Sequence, residues 1–191
     1  MKNIKYLFGA TAVTALILGA CGAEESTSEH GSHEESMDHS EMEHSGMDHS
    51  SSGEVPESLA EAEDPTYPVD SQAIIRTEHM AGMNGATATI TGAFDTTAYA
   101  VTYTPETGGD PVENHKWVVH EELDNPGEAP LAQGDEATMN ATHMEGMDGA
   151  TATIDSAEQT TVYMVSYTDT ETGNEVQHHK WVTEDELEPL E

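Results

Sequence analysis

The chain has 191 residues, with 38 acidic and five basic side chains, eleven histidines and one cysteine, for a formal net charge of −33. Such a chain is repelled by phosphate backbones and gains nothing from releasing their counterions, so nucleic acid is excluded as a partner class. A lone cysteine excludes a disulfide scaffold. Acidity of this kind also suits proteins bathed in high salt, where screening removes much of the self-repulsion, so charge alone assigns no role.

MKNIK gives a short basic start, and YLFGATAVTALILGA follows as an apolar stretch. That stretch is too short for a comfortable transmembrane helix, so residues 1–20 read as an export signal. Cys21 closes LGAC, which resembles the lipobox of bacterial lipoproteins. The resemblance implies a diacylated Cys21 as the mature N-terminus. It places the protein on the outer face of the bacterial cell membrane, with the lipid anchor as its membrane contact, because two acyl chains suffice to hold a protein at a bilayer. All acidic residues follow Cys21, and the basic side chains beyond it are Arg76, Lys116 and Lys180.

Residues 21–66 are rich in acid and serine, carry no Lys or Arg, and contain little that could form a core. They read as a disordered, extended tether. Within it lie His30, His33, His39, His44 and His49, with Met37, Met42 and Met47, and the unit M-[DE]-H-S recurs three times at a period of five. A five-residue step on a helix turns each unit well off the previous face, which argues against an amphipathic helix. In an extended chain, residues i and i+2 point the same way, so each unit offers one thioether and one imidazole together. Those donors suit Cu(I), Cu(II) or Ag(I), with carboxylates alongside. The alternative is a solvated spacer whose composition is incidental.

The strongest internal signal is a repeat at an offset of 64. Residues 79–123 align without a gap to residues 143–187, and 25 of 45 positions are identical. ATATI (86–90 and 150–154) reads as a short strand after a glycine-containing HMxGMxG. TTAYAVTYT and TTVYMVSYT, rich in β-branched and aromatic residues, read as the clearest strands, with both faces partly covered. PETGGDP and DTETGN carry hairpin turn signals, with Gly109 and Gly173 suited to positive φ. VENHKWVV and VQHHKWVT read as returning strands. The expected fold is all-β, two small rolled modules in series at 67–128 and 129–191, because some sixty residues per unit suit a small barrel better than two flat layers.

The lipobox, the acidic His/Met arm and the tandem HMxGMxGATATI…TTxYxVxYT…HKWVxxxEL units resemble the YdhK family of bacterial surface lipoproteins, known mainly for paired domains of unknown function. GMxGATATI followed by a long strand and a terminal HKWVxxxEL also resembles SH3-like barrels of the KOW-containing kind. Barrels of that kind often bind RNA or protein, and this one lacks the basic surface that RNA requires.

Within the modules, His79, Met80 and Met83 recur as His143, Met144 and Met147. They offer an imidazole and two thioethers to a soft ion, or serve as turn and core packing. Alternation in His-Lys-Trp sets His115 with Trp117, and His179 with Trp181, on one side of the returning strand. Tyr99, Trp117, Tyr163 and Trp181 are candidates for a shared interaction face. Enzyme readings fail for want of parts, since no HExxH, phosphate-binding glycine loop or held nucleophile is present. No cofactor is required by the pattern. Two readings follow: capture of copper-like ions at the membrane, or a non-catalytic module that binds envelope protein, peptide or glycan.

Overall fold

The structure is a computed structural model and describes residues 50–190; the export signal, Cys21 and the arm residues His30 to His49 lie outside the described residues. Eight strands follow in order: β1 (Ala60–Glu61), β2 (Gln72–Ile75), β3 (Thr87–Tyr103), β4 (Val112–Val119), β5 (Glu136–Thr138), β6 (Thr151–Thr168), β7 (Glu175–Thr183) and β8 (Leu187–Pro189). Short 3-10 turns, His120–Glu122 and Glu184–Glu186, follow β4 and β7. All the strands belong to one sheet.

ATATI and the TTxYxVxYT segment are not two strands but one. The intervening TGAFD and DSAEQ carry no Pro and no tight-turn pair, so pairing continues through them, and β3 and β6 run for 17 and 18 residues. They bend instead of breaking, at register shifts between Ile90 and Gly92 and between Ala100 and Val101. Bulges of this kind add curvature and twist.

β3 and β6 pair antiparallel from Ala88↔Tyr167 to Tyr103↔Ala152, centred on Thr96↔Thr160. Thr160 is the repeat equivalent of Thr96, so the two repeats are related by a pseudo-twofold axis through that pair. The consequence is an exchange of halves. One core gathers Ile75, Met83, Ala88 and Ile90 of the first repeat with Tyr163, Val165, Val182 and Leu187 of the second. The other gathers Tyr99, Val101, Tyr103 and Val118 of the first with Met139, Met147, Ala152 and Ile154 of the second.

Each core is enclosed by an SH3-like roll. The first runs β7–β6–β3–β2–β8, using the start of β3 and the end of β6. The second uses β5, the start of β6, the end of β3, and β4, and is completed by a Leu123↔Met139 bridge. The all-β, doubled character expected from sequence is present, but the repeats interleave where modules in series were expected. Burial of both faces of β3 also has its explanation. Tyr99 and Val101 face a roll's core, while Ala98 and Ala100 join Phe94, Val162, Met164, Trp117 and Trp181 in a third cluster at the crossing.

Residues 50–66, read from sequence as tether, belong to the fold. Leu59 is buried in the third cluster with Val55 packed on it, and β1 pairs with β3 at Ala60↔Asp95. Ser51 N donates to Gln177 O at 2.9 Å, its hydroxyl donates to His178 O at 2.6 Å, and Lys180 Nζ donates to Glu54 O. Two apolar anchors suffice to draw a polar segment onto β7 when backbone partners are at hand.

Interleaving makes a specific energetic demand. Ile90 and Val165 are paired across β3–β6 and share a core, whereas Ile90 and Val101 belong to one repeat but to different cores. Ile90→Ala should destabilise by about 2–5 kcal/mol. In urea unfolding, Ile90→Ala and Val165→Ala should couple by about 0.5 kcal/mol or more, while Ile90→Ala and Val101→Ala add within about 0.3–0.5 kcal/mol. The reverse pattern would mean that each repeat wraps its own core.

Candidate functional site

The HMxGMxG segments are tight turns whose glycines are required by a neighbour as well as by φ. Gly82 has φ +76, and a Cβ there would stand 2.3 Å from the Asp169 carboxylate; Gly146 has φ +78, and its Cβ would stand 2.6 Å from Thr107 Oγ1. In each case the neighbour is the β-hairpin turn of the other repeat. Backbone bonds fix the contact, Thr170 N to Gly82 O at 3.0 Å and Glu106 N to Gly146 O at 2.9 Å. Each turn therefore delivers its histidine to a place built by the opposite repeat.

At that place stands a buried carboxylate. Glu122 Oε1 lies 2.7 Å from His143 Nε2, and its Oε2 accepts from Trp181 Nε1 at 3.1 Å and Val119 N at 3.2 Å. Glu186 Oε1 lies 2.7 Å from His79 Nε2 and also accepts from Thr77 Oγ1 at 3.2 Å. Its Oε2 accepts from Trp117 Nε1 at 2.9 Å and Thr183 N at 3.0 Å. The first centre thus takes His79 and Trp117 from repeat one and Glu186 from repeat two, and the second reverses the roles. Each histidine also meets its tryptophan edge-on, at 6.1 Å between ring centres in the first and 6.5 Å in the second.

Burial alone would raise both carboxyls. The facing histidines, the indole N–H groups and the backbone donors outweigh it, so Glu122 is held below its usual range and Glu186 is drawn down to about 2. An ionised carboxylate only accepts, so Nε2 of each histidine carries the proton between them. That leaves Nδ1 as each ring's remaining donor atom, and in His79 and His143 it is buried without a hydrogen-bond partner. A carboxylate fixing one ring nitrogen while the other is left for coordination is the usual environment of a metal-ligating histidine.

The thioethers divide into two kinds. Met83 and Met147 are wholly buried and lie in the two cores, so these two candidate ligands are packing residues, as methionines beside a strand commonly are. Met80 and Met144, adjacent to the histidines in sequence, are only partly buried, and Met144 Sδ lies 4.0 Å from Tyr103 Oη. Among the described residues, no three His, Cys, Asp or Glu side chains converge as a metal cluster.

Two sequence expectations are corrected. Tyr99, Trp117, Tyr163 and Trp181 are buried, so they form no exposed interaction face, because the tyrosines lie in the two roll cores and the tryptophans in the third cluster at the crossing. Simple alternation fails at His-Lys-Trp as well. Tyr99 pairs with Val118 and Val101 with His115, so Lys116 and Trp117 together oppose Ala100; Lys180 and Trp181 likewise oppose Met164. The bulge separates the aromatic pair's surroundings. Trp117 enters the third cluster, while His115 meets Tyr103 and His143. The residues that sequence reading missed are Glu122 and Glu186. Their signal was the glutamate of HKWVxxxEL, retained in both copies although most other acidic positions differ.

A family model described as a protein of unknown function, DUF1541, matches residues 69–120 and again 133–184. The chain belongs to the DUF1541 family. It is 54% identical over 190 residues to the uncharacterized protein YdhK of Bacillus subtilis (strain 168), covering 98% of this chain and 90% of that relative. A crystal structure of the B. subtilis DUF1541 protein YdhK superimposes with a TM-score of 0.73 at 59% identity, over 75% of this chain and 97% of that one. A solution structure of the YdhK C-terminal domain gives 0.60 at 60% identity, over 63% of this chain and 92% of that one. The resemblance to YdhK and its paired domains of unknown function is thereby established. The DUF1541 units are the two interleaved repeats, and each model match ends within a β4- or β7-linked 3-10 turn.

The depressed carboxylates give a pH signature. Glu186 has a folded value of about 2 against an ordinary 4.5, so its contribution is complete above the ordinary value and is lost as pH falls toward 2. Glu186→Gln should destabilise at pH 7 by about 1–3 kcal/mol. In urea unfolding, the gap between wild type and variant should narrow between pH 5 and pH 2. A gap unchanged across that range would show that the carboxylate's charge is not what the centre uses.

Proposed function

We propose that this DUF1541 protein is a non-catalytic protein, lipid-anchored at the outer face of the bacterial cell membrane, that captures or buffers copper-like soft ions. The single observation that carries the reading is the buried, unpartnered Nδ1 of His79 and of His143. Each belongs to a ring held by a carboxylate and followed in sequence by a half-buried thioether. A ring nitrogen buried without a hydrogen-bond partner takes a ligand as its natural complement. Nitrogen and sulfur donors without a free carboxylate favour soft ions over hard ones, which points to Cu(I) with Ag(I) as its analogue.

The arm extends the same chemistry. Met37, Met42 and Met47 with His39, His44 and His49 form a chain of exchanging donors, and Ser50, the last residue of the third unit, is already hydrogen-bonded to β7 through Gln177 N. Capture is coordination and exchange, with no bond broken. A module for envelope protein or glycan has less support, since the aromatic side chains it would need are buried.

The test is a titration of the mature chain, with Cys21→Ser to keep it soluble, by Ag(I) and by Cu(I) under reducing conditions. Methionine methyl NMR signals report the outcome. Met37, Met42, Met47, Met80 and Met144 should shift, and Met83 and Met147 should stay near their original positions. Unmoved Met80 and Met144 signals at saturating metal would remove the reading for the folded unit. Unmoved arm signals would remove it for the arm.

A further inference from the structure

We propose that the outer edge of β4 at Glu113 and Asn114 docks an extended, basic segment of another polypeptide, in the way that the equivalent edge of β7 docks residues 50–59 of this chain. This goes beyond the capture reading and does not depend on it.

The β7 edge shows the occupied arrangement. Gln177 N donates to Ser50 Oγ at 3.0 Å, Ser51 N donates to Gln177 O at 2.9 Å, and Ser51 Oγ donates to His178 O at 2.6 Å. A Cβ on Gly53 would stand 3.1 Å from the His178 ring, so the strap lies close on the strand. Lys180 Nζ donates to Glu54 O, and Leu59 is buried in the cluster that holds Phe94 and Trp181.

β4 repeats this geometry residue by residue. His115 opposes Val101 and Val112 opposes Tyr103, as His179 opposes Val165 and Val176 opposes Tyr167. Asn114 and His178 share a φ of 52°. The backbone N–H of each is taken by a hydroxyl of the paired strand, Thr102 Oγ1 at 3.1 Å and Ser166 Oγ at 3.0 Å. Glu113 therefore turns outward the N–H and carbonyl that Gln177 gives to Ser50 and Ser51. Among the described residues no strap lies on them, and β4 is the more open strand. Val112 and His115 are half-buried where Val176 and His179 are buried, and Asn114 is exposed where His178 is half-buried. Lys116 Nζ, with no strap carbonyl to meet, lies 4.7 Å from the centre of the Trp117 ring, against 5.8 Å for Lys180 and Trp181. A strand edge of this kind is a template for strand addition.

The charge of the occupant follows from two replacements between the repeats. Glu113 stands for Gln177, and Glu158 stands for Phe94, which shares its cluster with Leu59. Burial, with Asp185 and Glu186 nearby, raises the Glu158 carboxyl above its ordinary range against the pull of Lys116. A cation placed as Leu59 is placed on the β7 side would relieve that crowding. A second copy of this chain is a poor occupant, since its own strap brings Glu54, Glu57 and Leu59 on a chain of net charge −33.

The experiment uses the mature chain with Cys21→Ser, observed by amide proton–nitrogen NMR. The probe is the synthetic peptide SSSGKVPKSK, which is the strap sequence SSSGEVPESL with its glutamates and leucine changed to lysine. The Glu113 and Asn114 amide signals should move, and those of Gln177 and His178 should stay. Methylating the backbone nitrogen of the peptide's second serine removes the N–H aimed at the Glu113 carbonyl, and should weaken binding by about tenfold. SSSGEVPESL itself should bind at least about tenfold more weakly than the basic peptide. Still signals at Glu113 and Asn114 at about 1 mM peptide would overturn the proposal. Equal binding of the methylated peptide would also overturn it, by showing charge attraction without strand pairing. So would movement confined to Gln177 and His178, which would mean exchange of the strap, or tighter binding of SSSGEVPESL, which would mean a second copy. The methyl group alters the peptide and leaves the protein intact, so the result does not hinge on a variant's folding.

Discussion

The constraint on which the rest depends is the uninterrupted antiparallel pairing of β3 with β6. A strand of 17 residues at about 3.4 Å per residue is roughly 58 Å long. A roll built from some sixty residues cannot hold that length on one core. Each strand therefore serves two, its first half in one roll and its second half in the other, and the pseudo-twofold axis at Thr96↔Thr160 marks the crossing. A third cluster around Phe94, Trp117, Met164 and Trp181 fills the space where the rolls meet, so the crossing is packed as a core instead of acting as a linker.

The same exchange explains the two carboxylate centres, Glu122 buried and Glu186 partly buried. Glu122 and Glu186 each end a 3-10 turn, and each takes its histidine and its tryptophan from the other repeat. Removing a charged group from water costs several kcal/mol, and three or four convergent donors offset that here. A carboxylate satisfied so fully does more than join two segments. It accepts from Nε2 and fixes the imidazole plane, while Nδ1 lies buried without a hydrogen-bond partner. The acidic surface, with only three basic side chains beyond Cys21, keeps anions away and leaves cations as the natural visitors.

Much of this was legible in the residues, and what was not has identifiable causes. The period-two runs in TTAYAVTYT and TTVYMVSYT, the glycines of the hairpin turns and the 64-residue repeat led to an all-β, doubled fold. A repeat, however, says only that two halves are alike. It cannot say which half of which copy packs on which, because Ile90 contacts the same kind of residue whether the partner is Val101 or Val165. The bulge at Lys116 and Trp117 shifts the alternation by one, and nothing in HKWVV announces it. Glu122 and Glu186 were hidden by company, as two acids among 38. The fold's beginning was placed too late because Val55 and Leu59 are isolated apolar residues in a polar stretch, and isolated anchors leave no periodic trace.

The most direct measurement is a cut. A protease site placed in the connector between Gly127 and Glu128, both outside the strands, would sever the repeats without touching either core. Interleaving requires that the two fragments remain together after cleavage, eluting at the mass of the intact chain and separating only in denaturant. Two fragments that part under native conditions and keep their β structure would show that each repeat folds on itself, and the cross-repeat centres would fall with it.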